Sequence, residues 1–474
     1  MANPYESSAT EDTSGAKSHK YLTTPVPSTK MPGGIPYIIG NEAAERFSYY
    51  GMNAILFVFL TEYLKSKAGT DAHMSPEEAK RWVHYFIAAV YAFPIVGAIL
   101  SDWLWGKYRT IIGISLLYCV GHGLLALMDY PAITNMEPKW VLAAGLVCLG
   151  MGSGGIKPCV SAHVGDQFGT KNQHLISKVF GWFYFSINVG AVLSMVVCPW
   201  LLQEHGPGWA FGVPGVVMAL ATFVFWLGRN KFVHIPPGGR QFFTETISHE
   251  GIRAIVNLLP LYVFIFPFFM LFDQTHSAWI EQAKSMNGDF GLFTALPSQM
   301  QAVNPALILI FIPLFSYVIY PVIDRFFALT PLRKIGIGLF LTAGSFVVIS
   351  LVQQRIDEGD TPHMLWQVLA YVILTAGEVM VSITALEFSY TQAPKKMKSL
   401  VMGMYLLVAI ALGNIITAEI NGYLDKQQKA GSPLLEGANY YWFFTYLMLG
   451  TAVLFVVWSQ FYRGQTYIQG DDSG

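Results

Sequence analysis

The chain predicts an all-α membrane protein of twelve transmembrane helices arranged as two six-helix bundles, and three observations predict it. Of its 474 residues, 53% are hydrophobic and only 12% are charged, against about 25% charged in a typical soluble domain. Apolar stretches long enough to cross a hydrocarbon core of about 30 Å recur near 36–64, 80–105, 108–128, 139–163, 175–203 and 208–229, then 253–283, 299–327, 331–352, 363–390, 397–424 and 439–462. A polar interval over 230–252 divides them six and six, which suggests two bundles meeting at a central cavity. Stretches this long and this continuously apolar are helices, because barrel strands are shorter and alternate in polarity.

The ends and loops are polar. Residues 1–35 are rich in Ser, Thr and Pro and hold no apolar run, so they read as a disordered cytoplasmic tail without a cleavable signal. Residues 36–229 form the first bundle, 230–252 a cytoplasmic linker, 253–462 the second bundle and 463–474 a short cytoplasmic tail. Lys107, Arg109, Lys171, Lys178, Arg229, Lys231, Arg240, Arg253, Arg333, Lys334, Lys395, Lys396 and Lys398 fall on loops of one side. The positive-inside rule then puts both termini in the cytoplasm, across a plasma or bacterial inner membrane. The net charge of −1 gives no basic surface for nucleic acid. Cys119, Cys148, Cys159 and Cys198 all lie in apolar stretches, where neither a disulfide framework nor a zinc site is expected. No HExxH, GxSxG or His/Asp cluster is present, so neither an enzyme nor a resident metal or cofactor is expected.

The first stretch opens with GNEAAERFSYYG, residues 40–51. A charge at the bilayer centre costs about 2.5–3.5 kcal/mol, so Glu42, Glu45 and Arg46 must face protein or a wet cavity. Glu42 and Arg46 are spaced i, i+4, Glu42 and Glu45 i, i+3, and Tyr49 and Tyr50 extend the polar face. Two carboxylates sharing one guanidinium make a site that takes a proton. The second stretch carries His84 and, seven residues on, Tyr91. Histidine suits a proton carrier through its unperturbed pKa of about 6.5, and equally suits packing. The fourth holds Lys157 after the glycine run of GSGGIKPCVSAHVGDQF, residues 152–168, where another helix can approach closely. Lys157 is placed to meet a substrate carboxylate or to pair with Glu45. The seventh holds Asp273 within MLFDQTHSAW, and the tenth holds Glu378, the buried acid of the second half. Ionisable groups inside a membrane default to function.

The run ExxERFxYYG resembles the first-helix signature of the proton-coupled oligopeptide transporter family. GAILSDWLWGKYRT, residues 97–110, resembles the Gly-x-x-x-Asp-x-x-x-Gly-Lys/Arg loop of the major facilitator superfamily. HYFIAAVYAFPIVGAI from residue 84, GGIKPCVSA, FYFSINVGA over 183–191 and TAGEVMVSITALEFSYTQAP from residue 375 are similar to the family in order along the chain, closest to its animal-type di- and tripeptide transporters. The resemblance implies a symporter that imports di- and tripeptides by alternating access, with protons as the coupling ion and no other cofactor. It implies proton coupling by Glu42, Glu45, Arg46, His84, Lys157 and Asp273. It implies a peptide site of Arg46, Tyr49, Tyr50, Tyr91, Lys157, Tyr184, Asn188, Asn304, Glu378 and Tyr405, in which Arg46 and Lys157 meet the peptide carboxylate and Glu378 its amino group. The expected partners are small peptides and the lipid bilayer, with the monomer as the working unit.

The charges make sense of such a substrate. A zwitterionic peptide needs both ends met, because desolvating two charges is costly. Cations from one half and an acid from the other read both ends and ignore the side chains. Two positions depart from the family: Asn53 stands where the family keeps an Arg, and Tyr405 where it usually shows Trp. Asp273 then lacks its usual partner, which leaves His84 or His276 to pair with it. Relatives with the same first-helix motif carry nitrate or other small organic anions, a reading that Glu378 opposes because it would repel an anion.

Overall fold

The computed structural model describes residues 21–130, 135–237, 249–392 and 398–462. Eleven of its helices are long and apolar enough to cross a membrane. They are α2 (Pro76–Trp105), α3 (Lys107–Asp129), α4 (Pro138–Asp166), α5 (Gln173–His205), α6 (Pro207–Asn230), α7 (Val256–Lys284), α8 (Pro297–Asp324), α9 (Pro331–Asp357), α10 (Leu365–Ser389), α11 (Val401–Lys429) and α12 (Ala438–Ser459). The first helix, α1 (Ile35–Val58), continues through a π turn at Phe59–Tyr63 and carries Glu42, Glu45 and Arg46; it makes the twelfth. These bounds fall within a few residues of those expected. Pro opens α2, α4, α6, α8 and α9, at the turn whose N–H groups lack helical partners anyway. Ser75 and Thr330 cap α2 and α9 by accepting from the amides of Glu78 and Arg333.

Burial falls into two large apolar cores. One draws on α1–α6, with Tyr118, Phe211 and Phe225 fully buried, and the other on α7–α12, with Trp279, Phe346, Tyr371 and Phe444. The glycine run of α4 lies against α2 so closely that a Cβ on Gly97 would sit 2.2 Å from the Gly155 carbonyl oxygen. Gly106 alone joins α2 to α3, at φ +75, a conformation that only glycine adopts freely.

Several helices are broken near the middle of the molecule. In α7 a 3-10 turn at Asp273–His276 and the sharp bend at Ser277 interrupt the helix before Ala278–Lys284 resumes. π turns follow Glu378 in α10 (Val379–Ile383) and Tyr405 in α11 (Leu406–Ala411). Such π turns recur at functional positions.

With an even number of crossings, the start of α1 and the end of α12 share one end of the molecule, here the terminal end; the other is the distal end. Residues 21–34, expected within a disordered tail, instead dock at the terminal end. Tyr21 stacks on His234 at 4.3 Å, the His234 amide donates to the Leu22 carbonyl at 2.7 Å, and Asn172 donates to the Lys30 carbonyl at 3.2 Å. Residues 1–20 of that tail, Arg240, Lys395, Lys396 and the tail 463–474 lie outside the described residues, as do the side chains of Arg253 and Lys398.

Candidate functional site between the two halves

On α1 the helical spacing closes the expected cluster. Arg46 Nε lies 3.0 Å from Glu42 Oε1, and Arg46 also meets Glu45 Oε2 at 2.5 Å through a terminal nitrogen. Ser153 on α4 donates to the other Glu45 oxygen at 2.6 Å. All three charged side chains are at most 6% exposed, so low dielectric strengthens their attraction and makes loss of one partner costly.

Lys157 does not pair with Glu45. Its ammonium lies over the rings of Tyr91 at 4.2 Å and Tyr49 at 4.7 Å, and it has no ion pair among the described residues. Two aromatic faces stabilise the cation without neutralising it. The charge remains available to an anion.

The second half mirrors this. Glu378 Oε2 accepts from Asn304 Nδ2 at 2.6 Å, and the same amide nitrogen lies 3.1 Å from Thr375 Oγ1. Glu378 has no cationic partner among the described residues. Tyr50 is within electrostatic reach of both Arg46 and Glu378, and Tyr184 of Glu378, so the site crosses from one half to the other. Tyr184 is 40% exposed. Asn188 commits one donor to the Tyr184 carbonyl on its own helix at 2.9 Å, leaving its oxygen as the remaining acceptor. Tyr405 packs in the core of the second half, against Tyr262 at 5.6 Å and Phe269 at 6.4 Å.

Asp273 has a partner that the sequence reading missed. Asn414 on α11 donates to Asp273 Oδ2 at 2.6 Å, and its oxygen meets His84 Nδ1 at 2.7 Å. The other His84 nitrogen meets Ser277 Oγ at 3.1 Å. His84 on α2 thus reaches Asp273 only through Asn414. His276 pairs instead with Gln301 at 2.5 Å, and Gln301 donates to the Ala54 carbonyl on α1 at 3.1 Å. Asn53 is fully buried, and its side chain makes no hydrogen bond. Asn414 was visible as a lone amide in the apolar run AIALGNIIT, the same signal that marked Asp273. His163, whose role the sequence left open, fills an aromatic pocket of Phe232 and Phe225 at 5.1 and 5.9 Å.

Ion pairs between the halves gather at the distal end. Lys80 on α2 meets Glu281 on α7 at 2.5 Å, Lys284 meets Glu62 at 2.5 Å, and Lys429 meets Glu78 at 3.6 Å. Ser75 donates to Asp425 at 2.6 Å. Among the described residues no ion pair joins the halves at the terminal end; Lys107 there meets Asp166 within the first half at 2.7 Å.

The sequence pattern of the POT family matches residues 108–249 and 241–443. The solute carrier family 15 member 2 of Rattus norvegicus is 33% identical over 400 residues, covering 76% of this chain and 54% of that protein. A protein named peptide transporter family 1 from Drosophila melanogaster is 34% identical over 382 residues, covering 72% and 50%. The chain thus spans about half the length of the curated relatives it matches. Two solved structures superpose over nearly their whole length. An auto-inhibited POT family peptide transporter has TM-score 0.81 at 31% identity, covering 93% of this chain and 99% of that one. The POT family transporter PepTSo has TM-score 0.81 at 33% identity, covering 91% and 99%. Twelve helices in the major facilitator superfamily fold, the α1 charge cluster and these likenesses place the chain in the POT family.

Proposed function

We propose that the chain is a proton-coupled symporter that carries di- and tripeptides across a membrane by alternating access. The observation that supports this best is a complementary pair of charges. Lys157 on the first half has no carboxylate partner and Glu378 on the second half has no cationic partner among the described residues, although both are placed in the membrane-spanning part. A small zwitterion supplies what each lacks: its carboxylate goes to Lys157 and Arg46, its ammonium to Glu378. Tyr49, Tyr50, Tyr91, Tyr184, Asn188 and Asn304 serve as the neutral wall around the backbone, with Tyr405 behind it. Desolvating both peptide charges is tolerable only where both are met.

Protons enter through Glu42 and Glu45, which share Arg46, and through the His84–Asn414–Asp273 chain. A proton on a carboxylate of the first cluster loosens its hold on Arg46. The guanidinium is then released toward the substrate carboxylate, which links proton and peptide. The transmembrane potential adds about 2.3 kcal/mol per charge per 100 mV to inward movement. The monomer works alone with both termini in the cytoplasm.

The test is uptake of a labelled dipeptide into proteoliposomes with and without an inward proton gradient, for the wild type and Glu378→Gln. The proposal expects gradient-driven uptake in the wild type and its loss in the variant. Uptake of nitrate or a small organic anion, with none of dipeptide, would replace peptide by anion as the substrate.

A further inference from the structure

The distal seam between α2 and α7 is a ladder of polar rungs at helical spacing. Lys80 and His84 are four residues apart on α2; Asp273, Ser277 and Glu281 are four apart on α7. Lys80 meets Glu281, His84 meets Ser277, and His84 reaches Asp273 through Asn414. The Lys80 side chain is only 5% exposed, yet it is fully ionic in its contacts: Glu281 at 2.5 Å, Glu77 at 4.0 Å and the Tyr440 ring at 4.6 Å. By contrast, Lys284 is 27% and Glu62 47% exposed.

We propose that Lys80 and Glu281 form the latch that holds the distal end shut, and that this pair must separate each time that end opens. The inference rests on the alternating-access reading. Lys80 belongs to the first half and Glu281 to the second, so parting the halves breaks the pair. The latch answers a gap in the sequence: Asn53 offers Asp273 no cation, and the nearest cross-seam ion pair along the ladder lies two turns farther out on α7. A cavity of about 320 Å³ runs beside the pair, lined by Glu77, Lys80, Glu281, Gln282, Gln353 and Tyr440 among others. Its polar walls give water a path to both charges as they part. A buried pair with that path is strong when closed and rehydrates when open. A pair sealed in apolar core would have no such route.

The experiment measures the distal opening directly in full-length protein in lipid nanodiscs. Dyes are attached through bio-orthogonal residues at Lys67 and Ser432, exposed positions on the distal loops of the two halves, and single-molecule energy transfer counts open and closed molecules. Glu281→Gln leaves Lys80 short of its main counter-charge in the closed state, so the open-to-closed ratio rises by about tenfold or more. The Lys80→Met and Glu281→Leu double variant is dry and apolar, so the ratio falls by about tenfold. The charge-swapped Lys80→Glu and Glu281→Lys pair returns it to within about threefold of wild type. A merely structural pair would lower the melting temperature in Glu281→Gln and leave the ratio unchanged, which overturns the latch; so does a shift of both neutral variants in one direction. Dipeptide uptake is measured on the same preparations. If the wild type carries no peptide while the ratio responds as stated, the substrate reading fails and the latch stands. If uptake is normal and the ratio does not respond, the latch fails alone.

Discussion

The two ends of the molecule hold the halves together differently. At the distal end Lys80–Glu281, Lys284–Glu62, Lys429–Glu78 and Ser75–Asp425 all cross from one half to the other. At the terminal end the described ion pairs stay within one half, as Lys107–Asp166 does. There α8 is also loosely held: only 11% of its most apolar stretch is buried, against 61% in α4 and α9. The difference teaches that the seam is not a uniform packed surface. Directional, breakable contacts concentrate at one end, as expected of a molecule resting with that end closed. The buried α1 cluster and the His84–Asn414–Asp273 chain lie between the two ends, where either side can influence them.

Several substitutions sharpen or break that contrast. The largest effect is expected from Arg46→Gln, which strands two buried carboxylates. Removing one partner of a buried pair costs about 3–5 kcal/mol. Gradient-driven dipeptide uptake is expected to vanish and the melting temperature to drop in a thermal shift assay; normal uptake would remove Arg46 from the coupling site. Next comes Asn414→Leu, which deprives Asp273 of a donor and His84 of an acceptor. Each unsatisfied buried group costs about 1–3 kcal/mol. Uptake is expected to lose its proton dependence while gradient-free exchange of peptide persists; an unchanged pH profile of uptake would show that the chain carries no proton. Lys284→Ala probes the exposed rung of the distal end. Exposed pairs contribute about 0–1 kcal/mol, so its effect on uptake is expected to stay within about threefold. An effect as large as that at Lys80 would mean that burial is not what distinguishes the rungs.

The smallest effect belongs to the terminal end. Burial beneath Tyr21 and Tyr108 holds the His234 imidazole below its ordinary value of 6.5, helped by the charge of Arg109 and opposed by a hydrogen bond to the Arg229 carbonyl. The docked segment therefore binds fewer protons than the released one. Docking is at full strength above about pH 6.5 and weakens as the pH falls through that value. Hydrogen exchange of residues 22–34, corrected for intrinsic rate, is expected to speed up between about pH 7.5 and 5.5. A His234→Gln variant is expected to lose that pH dependence.

Much of the fold and part of the site could be read from the sequence. The helix bounds followed from apolar length, and the Glu42–Glu45–Arg46 cluster from the fixed geometry of one helix, which needs no tertiary information. What escaped were contacts between helices. Nothing in GSGGIKPCVSA says that Lys157 lies over the rings of Tyr49 and Tyr91 instead of against Glu45. Asn188 looked free in its motif, and the structure turns one of its donors to its own helix. Asn414 and Ser277 join His84 and Asp273 across a distance in sequence that no local pattern spans. The segment 21–34 is polar and rich in proline, so composition argued for disorder. Single contacts from Tyr21 and His234 decide otherwise.

The most direct measurement is of proton movement driven by peptide alone. Proteoliposomes holding a pH dye are prepared with equal pH on both sides and a negative interior, and dipeptide is added outside. The lumen is expected to acidify with the wild type, and not to acidify with Glu45→Gln, which removes a carboxylate from the Arg46 site. Peptide uptake by the wild type without any lumen acidification would contradict proton-coupled symport.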